Sequence, residues 1–272
     1  MTRARRLAGI FCVTAAALLG GWALMTWLWQ EPFTALYTEY EQHQLTATLH
    51  REFAAYRPAP PSTRAGTVGE TEAQRIATRA RKFRLGSHRG QPLGRIIVPR
   101  MGLNMVFLDG TDERTLEKGP ARYLGSALPG EGQLVYIAGH RTTYLAPFSN
   151  IERLRKGDRI TLELPYATFV YKVTGSRIVP ADDLAVLRSP GHELLELQAC
   201  HPRFSATHRY IVYALPIRVV PRGGRAYSPG LRSLARSAGP AGPRRRAQLR
   251  SSMKEYASAT VAKAPTPGTT TR

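Results

Sequence analysis

The central part of the chain, residues 93–220, is predicted to fold as an all-β domain, either a barrel or a sandwich. Eight segments in this region are short and rich in apolar or β-branched residues, as strands are. Glycine, proline or aspartate lies between them, and helical patterns are few, with Thr115–Lys118 the one expected helical turn. The predicted strands are Gly94–Pro99, Met105–Leu108, Gln133–Ala138, Arg159–Leu164, Thr168–Val173, Ser176–Val179, Leu194–Ala199 and Tyr210–Leu215.

Residues 1–29 predict a cytoplasmic tip followed by a membrane anchor. Three arginines among the first six residues precede Leu7–Trp29, which runs for 23 residues without a charge. That length is enough to cross a bilayer and exceeds the usual apolar region of a cleaved signal peptide, which is the alternative. Its three tryptophans lie toward the far end, where aromatic side chains favour the interface. The positive-inside rule then predicts a single-pass protein of the cell membrane, with a cytoplasmic N-terminus and the β domain outside.

Residues 30–92 are predicted to connect this anchor to the β domain. Apolar residues recur at helical spacing from Glu31 to Tyr56, which indicates a juxtamembrane helix. Arg57–Gly69 is rich in proline, serine and glycine and is interpreted as a linker. Glu70–Phe83 is expected to form a short helix with a basic end.

The last segment, residues 221–272, is predicted to be a disordered basic tail. It holds eleven Lys and Arg against one Glu, so it carries about half of the formal net charge of +20. Few large apolar residues are present to offset the entropy of ordering. A solvated tail and a tail that rests on anionic wall polymers remain equal alternatives. No nucleic-acid partner is expected, because aromatic residues do not interleave with the basic ones.

Cys200 lies at the end of a predicted strand, Leu194–Cys200, in which apolar and polar residues alternate. Its face is the more polar one. A loop over His201–His208 leads into a second strand, Arg209–Pro216, so a hairpin would bring Arg209 near the thiol. A cysteine beside a guanidinium is a candidate nucleophile with a stabiliser for developing negative charge; the alternative is a small buried hydrophobe.

A second stretch, Gln133–Phe148, is an apolar strand that ends in Gly139-His140 and opens into a loop. A histidine at a strand end is usually a surface residue. Together with Cys200 and Arg209 at other strand ends, however, His140 completes a Cys/His/Arg set suited to nucleophilic catalysis.

These two stretches resemble the sortases, the membrane-tethered cysteine transpeptidases of Gram-positive bacteria. A strand-end cysteine followed nine residues later by arginine resembles the family's Thr-Leu-x-Thr-Cys…Arg signature. The run GHRTTY at 139–144, with APF at 146–148, resembles the histidine motif of class E, the housekeeping type of high-GC actinobacteria, and so does CHPRFSA at 200–206. The resemblance covers residues 93–216.

The resemblance implies a closed eight-stranded barrel and a particular chemistry. Cys200 would be the nucleophile, His140 the general acid and base, and Arg209 the donor to the oxyanion. The substrate would be a C-terminal sorting signal of the LAXTG or LPXTG type, cut between Thr and Gly. The acyl group would pass to a peptidoglycan precursor amine, which anchors secreted proteins to the cell wall. No cofactor is expected.

Three further residues are predicted to bind substrate. Gln198 and Ala199 precede the cysteine where the family usually has threonines, which puts substrate affinity or rate in question. Tyr144 lies in the loop after His140 and is proposed to line the groove at the substrate's second residue. The alternative is that Tyr144 only packs this loop.

Two other functions stay open at this point. Because of the altered Gln198-Ala199 pair, the chain is alternatively a catalytically weakened, wall- or membrane-associated binding module on a sortase-like barrel. A zinc site formed by Cys200, His201, His208 and His140 is less favoured, since these residues lack a recognised zinc spacing. The pair Asp182-Asp183 alone does not indicate a calcium site. The Asp-Pro-aromatic motif of sortase lids is not found in the sequence, so no lid over the site is expected.

Overall fold

The computed structural model describes residues 3–28, 32–57 and 71–229 of the 272-residue chain. Eight strands and four α-helices lie in these ranges. The helices are α1 (Arg3–Leu28), α2 (Pro32–Ala55), α3 (Glu72–Gly86) and α4 (Glu113–Leu116). The strands are β1 (Pro92–Val98), β2 (Leu103–Asp109), β3 (Ala121–Arg122), β4 (Leu134–Ala138), β5 (Arg159–Leu164), β6 (Ala167–Pro180), β7 (Leu194–His201) and β8 (His208–Pro221).

The eight strands close into one barrel, which confirms the predicted fold class. Their order around the barrel is β1-β2-β3-β4-β7-β8-β6-β5. Two of the neighbouring pairs, β2–β3 and β4–β7, are parallel, and the others are antiparallel. Closure leaves no free sheet edge, so each strand is hydrogen-bonded on both sides.

The strand predictions differ from the structure in two places. The predicted strands Thr168–Val173 and Ser176–Val179 are one continuous strand, β6, because its pairing with β8 only shifts register between Val173 and Gly175. The two-residue strand β3 was not predicted, since a segment this short has no detectable periodicity. It nevertheless closes the barrel between β2 and β4.

The interior of the barrel is a single apolar core. Alternate residues of β4 and β7 point inward, so Val135, Ile137, Leu195, Leu197 and Ala199 are all part of it. Each of these side chains is fully buried. The alternation of apolar residues seen in the sequence is therefore the alternation of inward-facing side chains in the barrel.

A buried carboxylate fixes the start of β7 against the turn that precedes β4. The Glu193 carboxylate accepts hydrogen bonds from the backbone N–H of Gly130 (2.8 Å) and of Gly132 (3.2 Å). It also accepts one from the Tyr171 hydroxyl at 2.7 Å. Burial raises the pKa of Glu193 to about 7. These bonds hold the two parallel strands in register from their first residues.

Helix α2 packs along the outside of the barrel and covers most of the predicted helix over Glu31–Tyr56. Its Gln42 side chain donates to the carbonyl oxygens of Val106 and Lys118, and accepts from the Val106 N–H at 2.7 Å. Thr38 donates to the carbonyl of Glu117 at 2.8 Å. Polar side chains of α2 thus complete the hydrogen bonding of β2 and of the turn after α4.

Helix α3 begins two residues later than predicted and extends to Gly86. A capping box fixes its start, because the Thr71 hydroxyl accepts from the Gln74 N–H and the Gln74 side chain accepts from the Thr71 N–H. Near its end, Arg84 forms a bidentate pair with Glu131, with an Nε–Oε1 distance of 2.7 Å.

Helix α1 contains a stretch, Arg5–Leu24, whose length and composition would allow it to cross a membrane. It is the one such helix in the ranges that the structure describes. Trp29, most of the predicted linker, and the predicted tail from residue 230 onward lie outside those ranges. The first residues of the predicted tail are described, and in them Tyr227 exchanges backbone hydrogen bonds with Val219 at 2.8 and 2.9 Å.

Candidate active site

The parallel pairing of β4 with β7 brings His140 and Cys200 to one end of the barrel. Ala138 lies opposite Gln198, and the Gly139 N–H donates to the Gln198 carbonyl at 3.0 Å, one residue beyond β4. Cys200 lies two residues beyond Gln198 on β7, and His140 lies two residues beyond Ala138, just after β4 ends. These two residues are 60 positions apart in the sequence, but the pairing delivers both to the same end of the barrel.

Arg209 lies directly opposite Cys200 in the antiparallel β7–β8 ladder, so the predicted hairpin is confirmed. Its side chain is buried, and Nη1 donates to the carbonyls of Ala206 (2.7 Å) and His208 (3.0 Å). Those two carbonyls belong to the loop that joins β7 to β8. The loop therefore fixes one end of a permanently charged group beside a half-buried, free thiol.

The loop after His140 is tightly folded. The Phe148 N–H donates to the His140 carbonyl at 3.0 Å and closes the loop on itself. Within it, Tyr144, Leu145 and Ala146 have φ angles of 54°, 58° and 40°. Three successive non-glycine residues in the left-handed region are unfavourable, so contacts outside the loop must hold them there.

Tyr144 supplies such contacts. Its ring lies against the His140 ring, with 5.0 Å between centroids and 39° between planes. Its hydroxyl donates to Glu117 Oε1 at 2.9 Å, and its backbone N–H donates to the Thr34 hydroxyl of α2 at 3.3 Å. Tyr144 is thus brought to the site as predicted, but its hydroxyl is engaged with a carboxylate.

Arg141 connects the two halves of the site, a role that the sequence did not reveal. Its guanidinium donates through Nη1 to the Cys200 carbonyl (3.1 Å) and to His201 Nδ1 (2.8 Å), and through Nη2 to Glu152 Oε2 (2.9 Å). The side chain is only 5% exposed. The sequence shows that Arg141 directly follows His140. It does not show the partners of Arg141, which lie 11, 59 and 60 residues away in the chain.

The residues before Cys200 form a floor on the outer face of the barrel. Gln198 and Glu196 share the face of Cys200, yet both are buried, so this face is polar in composition without being open to water. Burial raises the pKa of Glu196 to about 8. Ala199 corrects one prediction: its methyl group points into the barrel core, because side chains alternate along a strand. Its side chain is therefore not part of the site.

A second apolar cluster lies on this outer face, next to the floor. Strand β4 contributes the side chains that alternate with its core residues, and the turn between β6 and β7 covers them. The cluster consists of Tyr123, Leu134, Tyr136, Ala138 and Leu187, with Leu116, Leu184 and Val186 packed against it. Its five core members are all buried, so it anchors the turn between β6 and β7 to the outside of β4.

The residues of the alternative zinc site do not converge. Among the described residues, no group of three or more His, Cys, Asp or Glu is arranged to hold a metal. His201 Nδ1 faces Arg141, and a guanidinium can only donate, so this nitrogen accepts and carries no proton. Burial, followed by the charge of Arg141, lowers the pKa of His201.

The chain is similar in sequence to known proteins. Residues 96–217 match the family profile described as the Sortase domain. Sortase D of Bacillus subtilis is 35% identical over 130 residues, which is 46% of this chain and 63% of that protein. Sortase SrtE1 of Streptomyces coelicolor is 26% identical over 150 residues, which is 49% of this chain and 42% of that protein. The chain thus spans less than two thirds of either relative.

A solved structure supports the fold. The Clostridium perfringens Sortase D5 transpeptidase superposes with a TM-score of 0.53 at 22% identity, over 65% of this chain and 99% of that one. The higher identity to a sortase D than to a sortase E leaves the class undecided. Residues 96–217 are therefore similar in sequence to the sortase domain, and the eight-stranded barrel of residues 92–221 has the fold of a solved sortase.

Proposed function

We propose that this chain is a cysteine transpeptidase that joins secreted proteins to the cell wall. The observation that carries this proposal is the parallel β4–β7 pairing, which brings the segments of His140 and Cys200 to one end of the barrel, with Arg209 opposite Cys200 on β8. The sortase profile and the similarity to sortase D support the same reaction class. The alternative, a binding module on the same barrel, requires none of these three side chains.

In the first half-reaction, the Cys200 thiolate attacks the carbonyl carbon of the threonine in the sorting signal. Arg209 donates hydrogen bonds to the oxyanion that forms. His140 gives a proton to the departing glycine amine as the C–N bond breaks, and a thioester to Cys200 remains. In the second half, an amine attacks the thioester, His140 takes its proton, and the thiolate leaves.

The substrate binding that we propose uses the outer face of the barrel. An extended signal peptide would reach the half-buried Cys200 at the end of β7, beside the loop that follows His140. Gln198 and Glu196, which are buried behind Cys200 on the same face of β7, would support this site from below. Because both the sortase D and the sortase E relatives are only partly covered, the class E preference for LAXTG over LPXTG remains a proposal.

The proposed location is the cell membrane, with α1 as a single-pass anchor, the N-terminus in the cytoplasm and the barrel outside. The apolar stretch in α1 and the arginines before it support this arrangement. A barrel outside the membrane would meet secreted proteins and the amines of peptidoglycan precursors. We propose no cofactor, since the cycle needs only a thiol, an imidazole and a guanidinium.

The first prediction concerns the nucleophile. We expect Cys200→Ala to abolish transpeptidation. The control variant Cys12→Ala changes the exposed cysteine of α1 and should leave transpeptidation intact. His140→Ala and Arg209→Ala should each lower the rate at least ~100-fold, the scale of losing an acid/base or an oxyanion donor. Mass spectrometry of the acid-quenched enzyme with a sorting-signal peptide should detect an acyl adduct on Cys200. Full activity of Cys200→Ala would refute the mechanism.

The second prediction concerns orientation. Protease added to intact protoplasts should digest the barrel and leave a small N-terminal fragment in the membrane, because the positive-inside rule puts the barrel outside. Antibodies against each end of the chain give the measurement, and a cytoplasmic enzyme serves as the control for cell integrity. A protected barrel, or a mature chain that begins beyond residue 29, would contradict the anchor.

The third prediction concerns the substrate's second residue. A peptide with alanine there should have a kcat/KM about fivefold above its proline partner, since an amide N–H adds one hydrogen bond of about 1 kcal/mol. Tyr144→Phe removes only the hydroxyl that is bound to Glu117 and should reduce this preference. Equal kcat/KM values would remove the class E assignment. A preference that survives both Tyr144→Phe and Tyr144→Ala would remove only the role of Tyr144.

A further inference from the structure

One face of α2 carries a row of exposed apolar and aromatic side chains. Phe33, Leu36 and Tyr40 are 71%, 64% and 63% exposed, and Tyr37 beside them is 40% exposed. Their spacing of three, four and seven residues puts them on one side of the helix. Four large apolar side chains exposed along two turns of a helix indicate a surface that is covered by lipid or by another molecule.

The same side of α2 becomes polar in its second half. His43, Gln44 and Arg51 continue the row toward the C-terminus, and all three are exposed. The opposite side is occupied by the barrel, where Thr38 and Leu49 are buried. The helix therefore cannot turn its apolar row inward without breaking the bonds of Thr38 and Gln42 to the barrel.

The apolar row is continuous with α1. The Trp22 ring of α1 contacts the Phe33 ring of α2, with 5.6 Å between centroids. The start of α2 thus lies beside the helix that would cross the membrane. Aromatic side chains with an apolar body and a polar tip are favoured at the level of the lipid headgroups, and Tyr37 and Tyr40 are of this kind.

We propose that the first two turns of α2 lie in the lipid–water interface, with Phe33, Leu36 and Tyr40 among the phospholipid headgroups and upper acyl chains. This inference rests on the proposed membrane anchor. The change from apolar to polar along one side of α2 marks the level at which the helix leaves the membrane surface. Because Thr34 in these turns bonds to Tyr144, the loop of His140 is held close to the membrane.

The test uses the full chain in vesicles of phosphatidylcholine and phosphatidylglycerol whose acyl chains are brominated near the headgroup. In a background with all three native tryptophans changed to phenylalanine, Tyr40→Trp should lose most of its fluorescence. Arg51→Trp, three turns further along the same side, should lose none. A third variant that keeps only Trp22 reports whether α1 is in the bilayer.

Two outcomes would overturn the interfacial position. One is an unquenched Tyr40→Trp while Trp22 is quenched, which leaves the anchor intact. The other is protection of Tyr40→Trp by a second copy of the chain, seen as dimers by crosslinking with no quenching. If Trp22 is also unquenched, the proposed anchor itself fails, while the peptide cleavage assay still reports on the enzyme.

A separate observation concerns Arg141. Burying a guanidinium is costly unless its donors find partners; here Nη1 and Nη2 find a carbonyl, an imidazole and a carboxylate, whereas the buried Nε finds none. The carbonyl belongs to Cys200 and the arginine directly follows His140. A single side chain thus fixes the end of β7 relative to the loop that carries the histidine.

We infer that Arg141 is a positioning residue, which sets the distance between the Cys200 thiol and the His140 ring and keeps His201 in its neutral form. Arg141 does not reach the substrate in this arrangement. Glu152 orients the guanidinium from the other side, and the exposed Arg203 in turn contacts Glu152 at 3.4 Å. This inference rests on the proposed transpeptidase reaction.

Arg141→Gln should lower kcat about 10- to 100-fold with little change in KM, because small misplacements of reacting groups have effects of this size. Arg141→Lys should have a kcat between those of Arg141→Gln and the native enzyme, since lysine keeps the positive charge but lacks the planar set of N–H donors. Arg153→Gln, an exposed arginine of the same segment, is the matched control and should be silent. The pKa of His201, followed by NMR, should rise toward its ordinary value in Arg141→Gln.

An unchanged kcat in Arg141→Gln would overturn the positioning role. A loss of activity that only follows a loss of folded protein, measured by near-ultraviolet circular dichroism, would overturn it as well. If Cys200→Ala retains activity, the transpeptidase proposal itself fails, and that result is independent of Arg141.

Discussion

The parallel pairing of β4 with β7 is the constraint on which the candidate site depends. Main-chain hydrogen bonds pair β4 with β7 as far as Gly139 and Gln198, so both chain segments deliver His140 and Cys200 to the same end of the barrel. Glu193 fixes this register at the other end of the strands, where it binds the turn before β4. The position of the two side chains is thus determined by backbone geometry, which varies far less than the geometry of long flexible side chains.

Contacts outside the two strands then refine the site. Arg141 joins the histidine loop to the cysteine strand, and the loop before Arg209 holds its guanidinium through backbone carbonyls. Tyr144 rests against His140 and is held in turn by Glu117 and by Thr34 of α2. A helix outside the barrel therefore contributes to the order of the active-site loop, which links the N-terminal segment to the chemistry.

The all-β class and the β7–β8 hairpin depend on local patterns, so the sequence predicted both, whereas the closed barrel was expected from the resemblance to sortases. Alternation placed Leu195 and Leu197 inside and Cys200 outside, and a short loop implied the β7–β8 hairpin. The same alternation placed Ala199 in the core, which the family motif had obscured. Arg141 and Glu193 could not be assigned from the sequence, since their partners are distant in the chain and only the folded barrel brings them together.

Helix α2 was predicted from its periodicity, but its two sides could not be told apart. Phe33, Leu36 and Tyr40 have the pattern of a buried face, whereas the structure leaves them exposed and buries Thr38. The first half of the helix meets the barrel through hydrogen bonds to β2 and to the turn after α4, so in that half polar side chains face inward. An apolar row therefore reports where a helix finds an apolar environment, which need not be the protein core.

The parallel strands also determine how the site is assembled. A hairpin cannot join two parallel strands, and the connection from β4 to β7 runs through β5 and β6. Strand β8, which brings Arg209, pairs with β6 and β7 and completes the closed barrel. Such distant pairings form slowly compared with local ones. Bringing Cys200 and His140 to one end of the barrel therefore depends on closing a long stretch of chain rather than on a local turn.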